Sequence, residues 1–440
     1  MVMPSIDNLI PSLRENGVVG AGGAGFPTYA KLKPPIEYLI INAAECEPLL
    51  HKDKELLKRY GAEVLEGMKQ VRSFLGAGEA ILGIKGKYHD IIDALTPLLE
   101  PGMRIHPLGD FYPTGDEFVL IYETIGRVVP PGGLPFQVGA LVMNVETVLN
   151  LVWNRPVTHK YLTVAGAVND PQTVRVPIGI SLREVIEACG GAAVDPYEVI
   201  TGGVMMGRYI QNLDDPVTKT TGGILVFPPG HPVIERYRKT PDEINRIGRS
   251  ACDQCSFCTE LCPRYLLGHP IEPHRAMRSL GFSVDRTAHV LGTLFCCECN
   301  LCTMIACPEA LDPKNVCAMN KAELRSQKAV YPESGLHRPV HSMREGRQTP
   351  LSRLIRILGL HIYENKGPYT EMNWNPARLV IPLKQHAGAP ATPVVSVGTR
   401  VREGDVLARV DETQLGASIH ASMDGVVSQI TDKAIEIERG

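Results

Sequence analysis

Long apolar runs are missing from this 440-residue chain. None approaches the ~18 residues that a membrane-spanning helix needs, so no span is expected. An excess of charge of one sign is missing too. The net charge of −3 gives no electrostatic basis for binding nucleic acid. Met1 to Val19 carries Asp7, Arg14 and Glu15 and has no continuous apolar core, so it does not read as a secretory signal. Ser5 to Arg14 is weakly amphipathic and reads as a first helix. Aromatic residues are scarce, at only 6%.

What the chain does have is glycine (42) and proline (35), a mix that predicts many turns and backbone lying close to ligands. Every cysteine except Cys46 and Cys189 falls between Cys252 and Cys317. Without a secretory signal, such bunching predicts metal binding in a reducing cytoplasm rather than disulfides. Cys189 and Cys317 are expected to be structural thiols.

The length predicts several domains. Residues 1–152 alternate strand-like and helix-like stretches: Ile36–Asn42 and Ala80–Ile84 as strands, Lys52–Leu75 and His89–Leu99 as helices. That pattern predicts a mostly parallel sheet covered by helices. Residues 153–240 read as a compact α+β module. Its expected strands are Lys160–Gly166, Thr173–Pro177, Glu198–Ile200 and Gly223–Phe227, and Ser181 is expected to cap a helix that ends before Gly190-Gly191. Residues 241–330 hold the cysteines, 331–377 read as a linker with one helix near Leu351–Leu360, and 378–440 read as a β-rich unit.

Cys252, Cys255, Cys258 and Cys262, followed by Pro263, give C-x2-C-x2-C-x3-C-P, the run that holds [4Fe–4S] clusters in bacterial ferredoxins. Cys296, Cys299, Cys302 and Cys307, followed by Pro308, give a second run with four residues before its last cysteine. Zinc sites use two separated pairs, and three cysteines at consecutive two-residue spacings overfill such a site. Two clusters are therefore expected. In two-cluster ferredoxins the fourth ligand comes from the partner run. One set is then Cys252, Cys255, Cys258 and Cys307; the other is Cys296, Cys299, Cys302 and Cys262. The extra thiol of Cys297 leaves the choice between Cys296 and Cys297, and the role of Cys307, open.

Gly20, Gly22 and Gly25 match G-x-G-x-x-G by count, but no full strand precedes them, which argues against a Rossmann loop. The wider segment Gly20–Thr28, with Gly23 and Phe26 inside it and Lys31 after it, suits phosphates and a planar ring lying on bare backbone. Asn42, Glu45 and Glu47 follow a strand, where ligand-binding side chains collect. Tyr112-Pro-Thr-Gly115-Asp116-Glu117 and Asn144-Val-Glu-Thr147 come later.

These pieces, in this order, resemble the flavin-carrying NADH-binding subunit of respiratory complex I and, more closely, the electron-input subunit of the Rnf complex. The resemblance implies FMN contacts from Gly20, Gly22, Gly23, Gly25, Lys31, Asn42, Glu45, Tyr112, Gly115, Asp116, Asn144 and Thr147. It places Phe26, Glu47 and Glu117 on the nicotinamide side. Ala21 and Ala44 stand where complex I has an Arg and an acid. Residues 153–240 resemble the soluble ligand-binding β-grasp module of that family. The last unit resembles a lipoyl-type barrel-sandwich without a tip lysine, so it is expected to be unmodified.

In the Rnf subunit the sandwich precedes the flavin domain; here it is C-terminal. That order is similar to the cobalamin reductases of propanediol-utilisation microcompartments. The implied fold class is multidomain α/β plus α+β: an FMN-binding α/β domain, a β-grasp module, a two-cluster ferredoxin-like domain and a barrel-sandwich hybrid. The implied activity is an NADH-dependent reductase passing electrons through FMN and [4Fe–4S] clusters to cob(III)/cob(II)alamin. No side chain is needed as acid or base, because hydride transfer is carried by FMN. The implied partners are a corrinoid adenosyltransferase and a microcompartment shell protein. None of the 13 histidines has an Asp two residues before it, so cobalamin is expected as a passing substrate. His269, His274, His337 and His341 are expected at the surface or as caps. The alternative reading is an electron-input subunit of an Rnf-type ion-pumping NAD:ferredoxin oxidoreductase.

Overall fold

The computed structural model describes residues 8–33, 35–336 and 338–440. Residues 5–7 of the expected first helix, and His337, lie outside them; the helix itself is Leu9–Glu15.

The first sheet runs Met103–Leu108, Glu79–Lys85, Tyr38–Ala43, Ala140–Asn144 in spatial order, all parallel. Its strands are apolar on both faces because both faces are covered. Leu39, Ile41, Leu82 and Met143 pack with Leu57, Val64, Met68 and Val148 from the helices Lys52–Leu75 and Val145–Trp153. Ile40, Ile81 and Val142 pack on the other side with Leu120 and Ile121 of the helix Glu117–Ile125. The order of connection reverses beside Tyr38–Ala43. Two successive crossovers build outward on one side of that strand, and the last strand returns to its other side. Carboxyl ends at such a reversal form a crevice suited to a ligand.

The second sheet is mixed and six-stranded. It centres on His159–Gly166, paired antiparallel with Gln172–Pro177 and parallel with Gly223–Phe227. Ser181 caps the helix Leu182–Ala188 through a reciprocal capping box with Glu184. The barrel unit is built from Arg378–Pro382, Ala434–Glu438, Gly425–Ile430 and Arg400–Val401 facing a three-stranded sheet. Its apolar residues share one core with the β-grasp sheet: Leu379, Ile381 and Val427 pack with Leu162, Val164 and Val226.

Residues expected as a linker form a packed strap. Thr349–Pro350 pairs with Phe111–Tyr112, Leu351–Ile357 is the expected helix, and Tyr369–Thr370 adds a parallel strand beside Gln172–Pro177. Leu351, Leu354 and Leu358 enter the core that Tyr112, Met205, Cys299 and Leu301 build where three modules meet.

Candidate functional site

The crevice brings together most of the residues expected around a flavin. Asn42 and Asn144 are paired residues at adjacent strand ends. Asn42 Nδ2 donates to the Gly115 carbonyl at 2.9 Å, and its Oδ1 accepts the Ala44 N–H at 3.1 Å. Gly115 has no room for a side chain, since an added Cβ would lie 2.8 Å from the Ala44 oxygen. Asn144 Oδ1 caps the helix after it through the Glu146 N–H, and its Nδ2 donates to Asp53 at 2.8 Å. Asp116 caps the helix Glu117–Ile125.

The glycine loop closes on itself, with Gly20 N–H bonded to Phe26 O at 2.9 Å and Gly25 N–H to Gly20 O at 3.2 Å. Thr147 Oγ1 accepts the Ala21 N–H at 2.9 Å. An added Cβ at Gly22 would stand 3.5 Å from Asn144, whereas one at Gly23 (φ +112°) would meet nothing within 4 Å. The hydroxyl of Thr28 is buried and has no partner among the described residues. This open, donor-rich backbone with an orphaned hydroxyl fits a phosphate-bearing planar group such as FMN. Lys31 lies 5.9 Å from the Phe26 ring centre and 3.6 Å from Glu117, so these three gather at one mouth. Burial, and the nearby Asp53, push the Glu45 carboxyl up to about 6.

Three of the expected residues also bond or pack against the other modules. Gly25 abuts Thr220, Gln385 and His386 of the β-grasp and barrel units, and its carbonyl accepts the Ala387 N–H at 3.0 Å. Glu47, expected toward nicotinamide, accepts the N–H groups of Met205 and Met206 at 2.8 and 2.9 Å; burial pushes its carboxyl up to about 8 against those bonds. The Tyr112 hydroxyl donates to the Cys299 carbonyl at 2.8 Å.

Beneath the loop lies a buried charge cluster that no local motif marks, although Glu146 sits inside Asn-Val-Glu-Thr. Glu146 bonds Lys52 at 3.0 Å and also Lys160, and the Lys160 ammonium donates to Ala21 O at 3.1 Å. Burial works against the charge on Glu146, but Lys160 and Lys52 hold its carboxyl below the ordinary range. Lys52 answers two acids and is held above its ordinary pKa despite burial, whereas burial pulls Lys160, with one acid, down to about 8. Lys160 belongs to a strand with no local sign of this role.

The cysteines line two cavities. Cys252, Cys255, Cys258 and Cys307 line one. Cys262, Cys296, Cys297, Cys299 and Cys302 line another. Among the described residues no three metal-ligating side chains converge on a single ion. Thiols standing around a volume suit a cubane rather than one zinc bonded at about 2.3 Å. The cross-over of Cys262 and Cys307 between runs is the arrangement expected from ferredoxins.

The irregular spacer has a local explanation. Cys302–Ala306 forms a π-helical turn, which absorbs one extra residue, so that Cys302 faces one cavity and Cys307 the other. Both loops repeat a left-handed pattern at non-glycine positions, Gln254 and Ser256 in the first, Glu298 and Asn300 in the second. Amide N–H groups reach sulfur there, with Glu298 N–H to Cys296 and Leu311 N–H to Cys307, both at 3.4 Å.

Among the histidines, His274 bonds Thr259 at 2.7 Å and His341 accepts the Met343 N–H in a local turn. His269 corrects the surface expectation. It is 1% exposed and its Nε2 bonds the Val129 carbonyl at 3.0 Å. Cys189 and Cys317 are fully buried.

Comparisons with known proteins agree with this layout. Residues 13–153 match the Nuo51 FMN-binding domain, 161–209 the SLBB domain, 251–312 the 4Fe-4S dicluster domain and 358–440 the RnfC barrel sandwich hybrid domain. The cobalamin reductase PduS of Salmonella typhimurium is 46% identical over 99% of this chain and 97% of its own length. That of Citrobacter freundii is 43% identical over 97% and 96%. A component of the proton-translocating ferredoxin:NAD(+) oxidoreductase complex of Clostridium ljungdahlii is 34% identical over 60% of this chain and 57% of that protein. The solved NAD+-reducing [NiFe]-hydrogenase in its H2-reduced state shares the fold with a TM-score of 0.50 at 21% identity, covering 76% of this chain and 68% of that one.

Proposed function

We propose, for a chain that belongs to the PduS cobalamin reductase family, that it takes electrons from NADH and delivers them singly to cob(III)alamin and cob(II)alamin. FMN, when bound, accepts a hydride's two electrons and releases them one at a time, and [4Fe–4S] clusters relay single electrons. The crevice residues Gly20, Gly22, Gly23, Lys31, Asn42, Glu45, Gly115, Asp116, Asn144 and Thr147 would hold FMN. Phe26 and Glu117 at the mouth would orient the nicotinamide. Two cysteine sets would each hold a cluster.

One observation carries this reading: the segment Phe111–Glu117 serves both centres. Its Gly115 carbonyl is bonded to Asn42 in the crevice, while its Tyr112 hydroxyl is bonded to the Cys299 carbonyl in a cysteine loop. Glu47 likewise ties the crevice edge to Met205, whose carbonyl accepts from Asn300. A flavin site and a cysteine cavity joined by one short segment suit direct electron transfer between them.

No described helix is long and apolar enough to cross a membrane. Within the proposal, cob(I)alamin is handed to a corrinoid adenosyltransferase, and the protein works inside a bacterial microcompartment beside a shell protein, in propanediol degradation.

The test is an anaerobic assay of the loaded protein with NADH and cob(III)alamin, followed by the cob(II)alamin spectrum, with an adenosyltransferase trapping cob(I)alamin. Reduction that needs FMN and disappears in Cys252→Ser is the expected result. Flavin and cluster reduction by NADH without cobalamin turnover would reject the acceptor and favour electron delivery to ferredoxin, as in the ion-translocating complexes.

A further inference from the structure

Arg264 follows Cys262 by two residues and is 7% exposed. Its Nη2 donates to Asp116 Oδ2 at 2.9 Å, and its Cζ stands 3.7 Å from the Phe118 ring centre. Its Nη1 is buried and has no hydrogen-bond acceptor among the described residues. Apart from Asp116, the groups facing the guanidinium are the thiol of Cys297, within hydrogen-bonding reach of it, and that of Cys299; both line the second cysteine cavity. His269 stands nearby, but its Nε2 is engaged with the Val129 carbonyl.

A buried guanidinium N–H without an acceptor is rare in folded proteins. Here the donor lies between the cap of a crevice helix and a thiol-lined cavity. Sulfur held in that cavity is the acceptor that its chemistry calls for. Asp116 fixes the guanidinium plane, and the Phe118 face supports it from one side. In the other cavity Cys255 is exposed.

We propose that Arg264 is a positioning residue for the centre in the second cavity: Nη1 donates to sulfur there, and that centre, tied to the crevice through Asp116 and through Tyr112, is the first acceptor of electrons leaving the crevice, with the centre of Cys252, Cys255, Cys258 and Cys307 the exit. Each electron that arrives adds one negative charge to the centre. A fixed cation with an N–H···S bond favours that more negative state and raises its reduction potential. The electron source is NADH through the flavin, so no further reductant is needed.

This inference rests on reading both cavities as cluster sites, and the experiment separates the two claims. Loaded wild-type protein, Arg264→Gln and Arg264→Lys are titrated by EPR-monitored potentiometry, with Cys262→Ser and Cys252→Ser assigning the signals. Two [4Fe–4S] signals in the wild type bear on the cluster reading alone; fewer than two would overturn it and the inference with it. Given two, the midpoint of the signal lost in Cys262→Ser falls in both Arg264 variants, further in Gln than in Lys. The other midpoint stays unchanged. With limiting NADH and freeze-quenching, the Cys262-dependent signal appears before the Cys252-dependent one. If Arg264→Gln does not load its clusters, Arg264→Lys, which keeps the charge, decides. Wild-type midpoints in a loaded variant, a shift confined to the Cys252 signal, or the reverse order of appearance would overturn the inference.

Discussion

The Tyr112 hydroxyl donates to the carbonyl oxygen of Cys299 at 2.8 Å, a bond across 187 residues of sequence that fastens the crevice segment to a cysteine loop. Tyr112 is 2% exposed, so water cannot replace its hydroxyl. Tyr112→Phe keeps the ring and leaves the carbonyl unpaired, an expected loss of about 1–3 kcal/mol. Thermal melts should show it, and iron should leave the loaded variant faster on addition of a chelator. Equal iron loss from variant and wild type would mean that this bond does not hold the loop.

The spatial pairing of cysteines predicts which substitutions act alike. Cys307→Ser should remove the same EPR signal as Cys252→Ser, although Cys307 belongs to the other run. Cys262→Ser should match Cys299→Ser for the same reason. Cys296 completes the regular spacing, so Cys296→Ser should lose a cluster and Cys297→Ser should retain both. Iron and sulfide counts with EPR check this. Loss of a signal in Cys297→Ser would reassign the ligand.

Gly115→Ala inserts a methyl 2.8 Å from the Ala44 oxygen and 3.2 Å from Cys46 Sγ. Overpacking of this kind typically costs about 1–3 kcal/mol. The strain falls on the junction of Asn42, Gly115 and Asp116, so FMN affinity should drop about tenfold or more, roughly 1.4 kcal/mol. Fluorescence titration of the apoprotein measures it. Unchanged affinity would remove this junction from the FMN site.

Much of this was legible locally. The helix Lys52–Leu75 runs over the residues its periodicity predicts, and the cysteine spacings and glycine loop were plain. Other features are set by tertiary contact and leave no local trace. Lys160 reads as an ordinary strand lysine until the fold buries it beneath Ala21. The strap at 331–377 has strands of two residues, too short for a period. Gln254, Ser256, Glu298 and Asn300 adopt left-handed backbone without glycine. Arg264 gains its meaning only when Asp116 is brought to it.

Acid should loosen the barrel unit. Burial, with the nearby Lys219, lowers His386 to about 4 and His420 to about 3. Lys384 also faces His386, and Arg409 also faces His420. Folded-state values below the unfolded one mean that their contribution is present above about pH 6.5 and is lost as pH falls toward 4. A tenfold difference in proton affinity is worth about 1.4 kcal/mol. His386→Gln with His420→Gln should flatten the fall in melting temperature between pH 7 and pH 4. An unaltered slope would assign acid sensitivity to other groups.

The buried cluster under the glycine loop allows a stricter test, because its acids are shared unequally: Lys52 has Asp53 and Glu146, Lys160 only Glu146. Glu146 stands between Lys52 and Lys160, and Lys160 alone touches the loop, through Ala21 O. Glu146→Gln leaves Lys160 buried with no acid of its own, an expected loss of about 3–5 kcal/mol. Thr147→Val removes only the acceptor of the Ala21 N–H, an expected loss of about 1–3 kcal/mol. Both should weaken FMN binding, Glu146→Gln more. If the uncompensated ammonium is the cause, Glu146→Gln with Lys160→Met should recover stability relative to Glu146→Gln alone, a coupling that a double-mutant cycle isolates. FMN affinity should recover less, because Ala21 O still lacks its donor. Additive losses would place the damage in packing around residue 146 rather than in its charge.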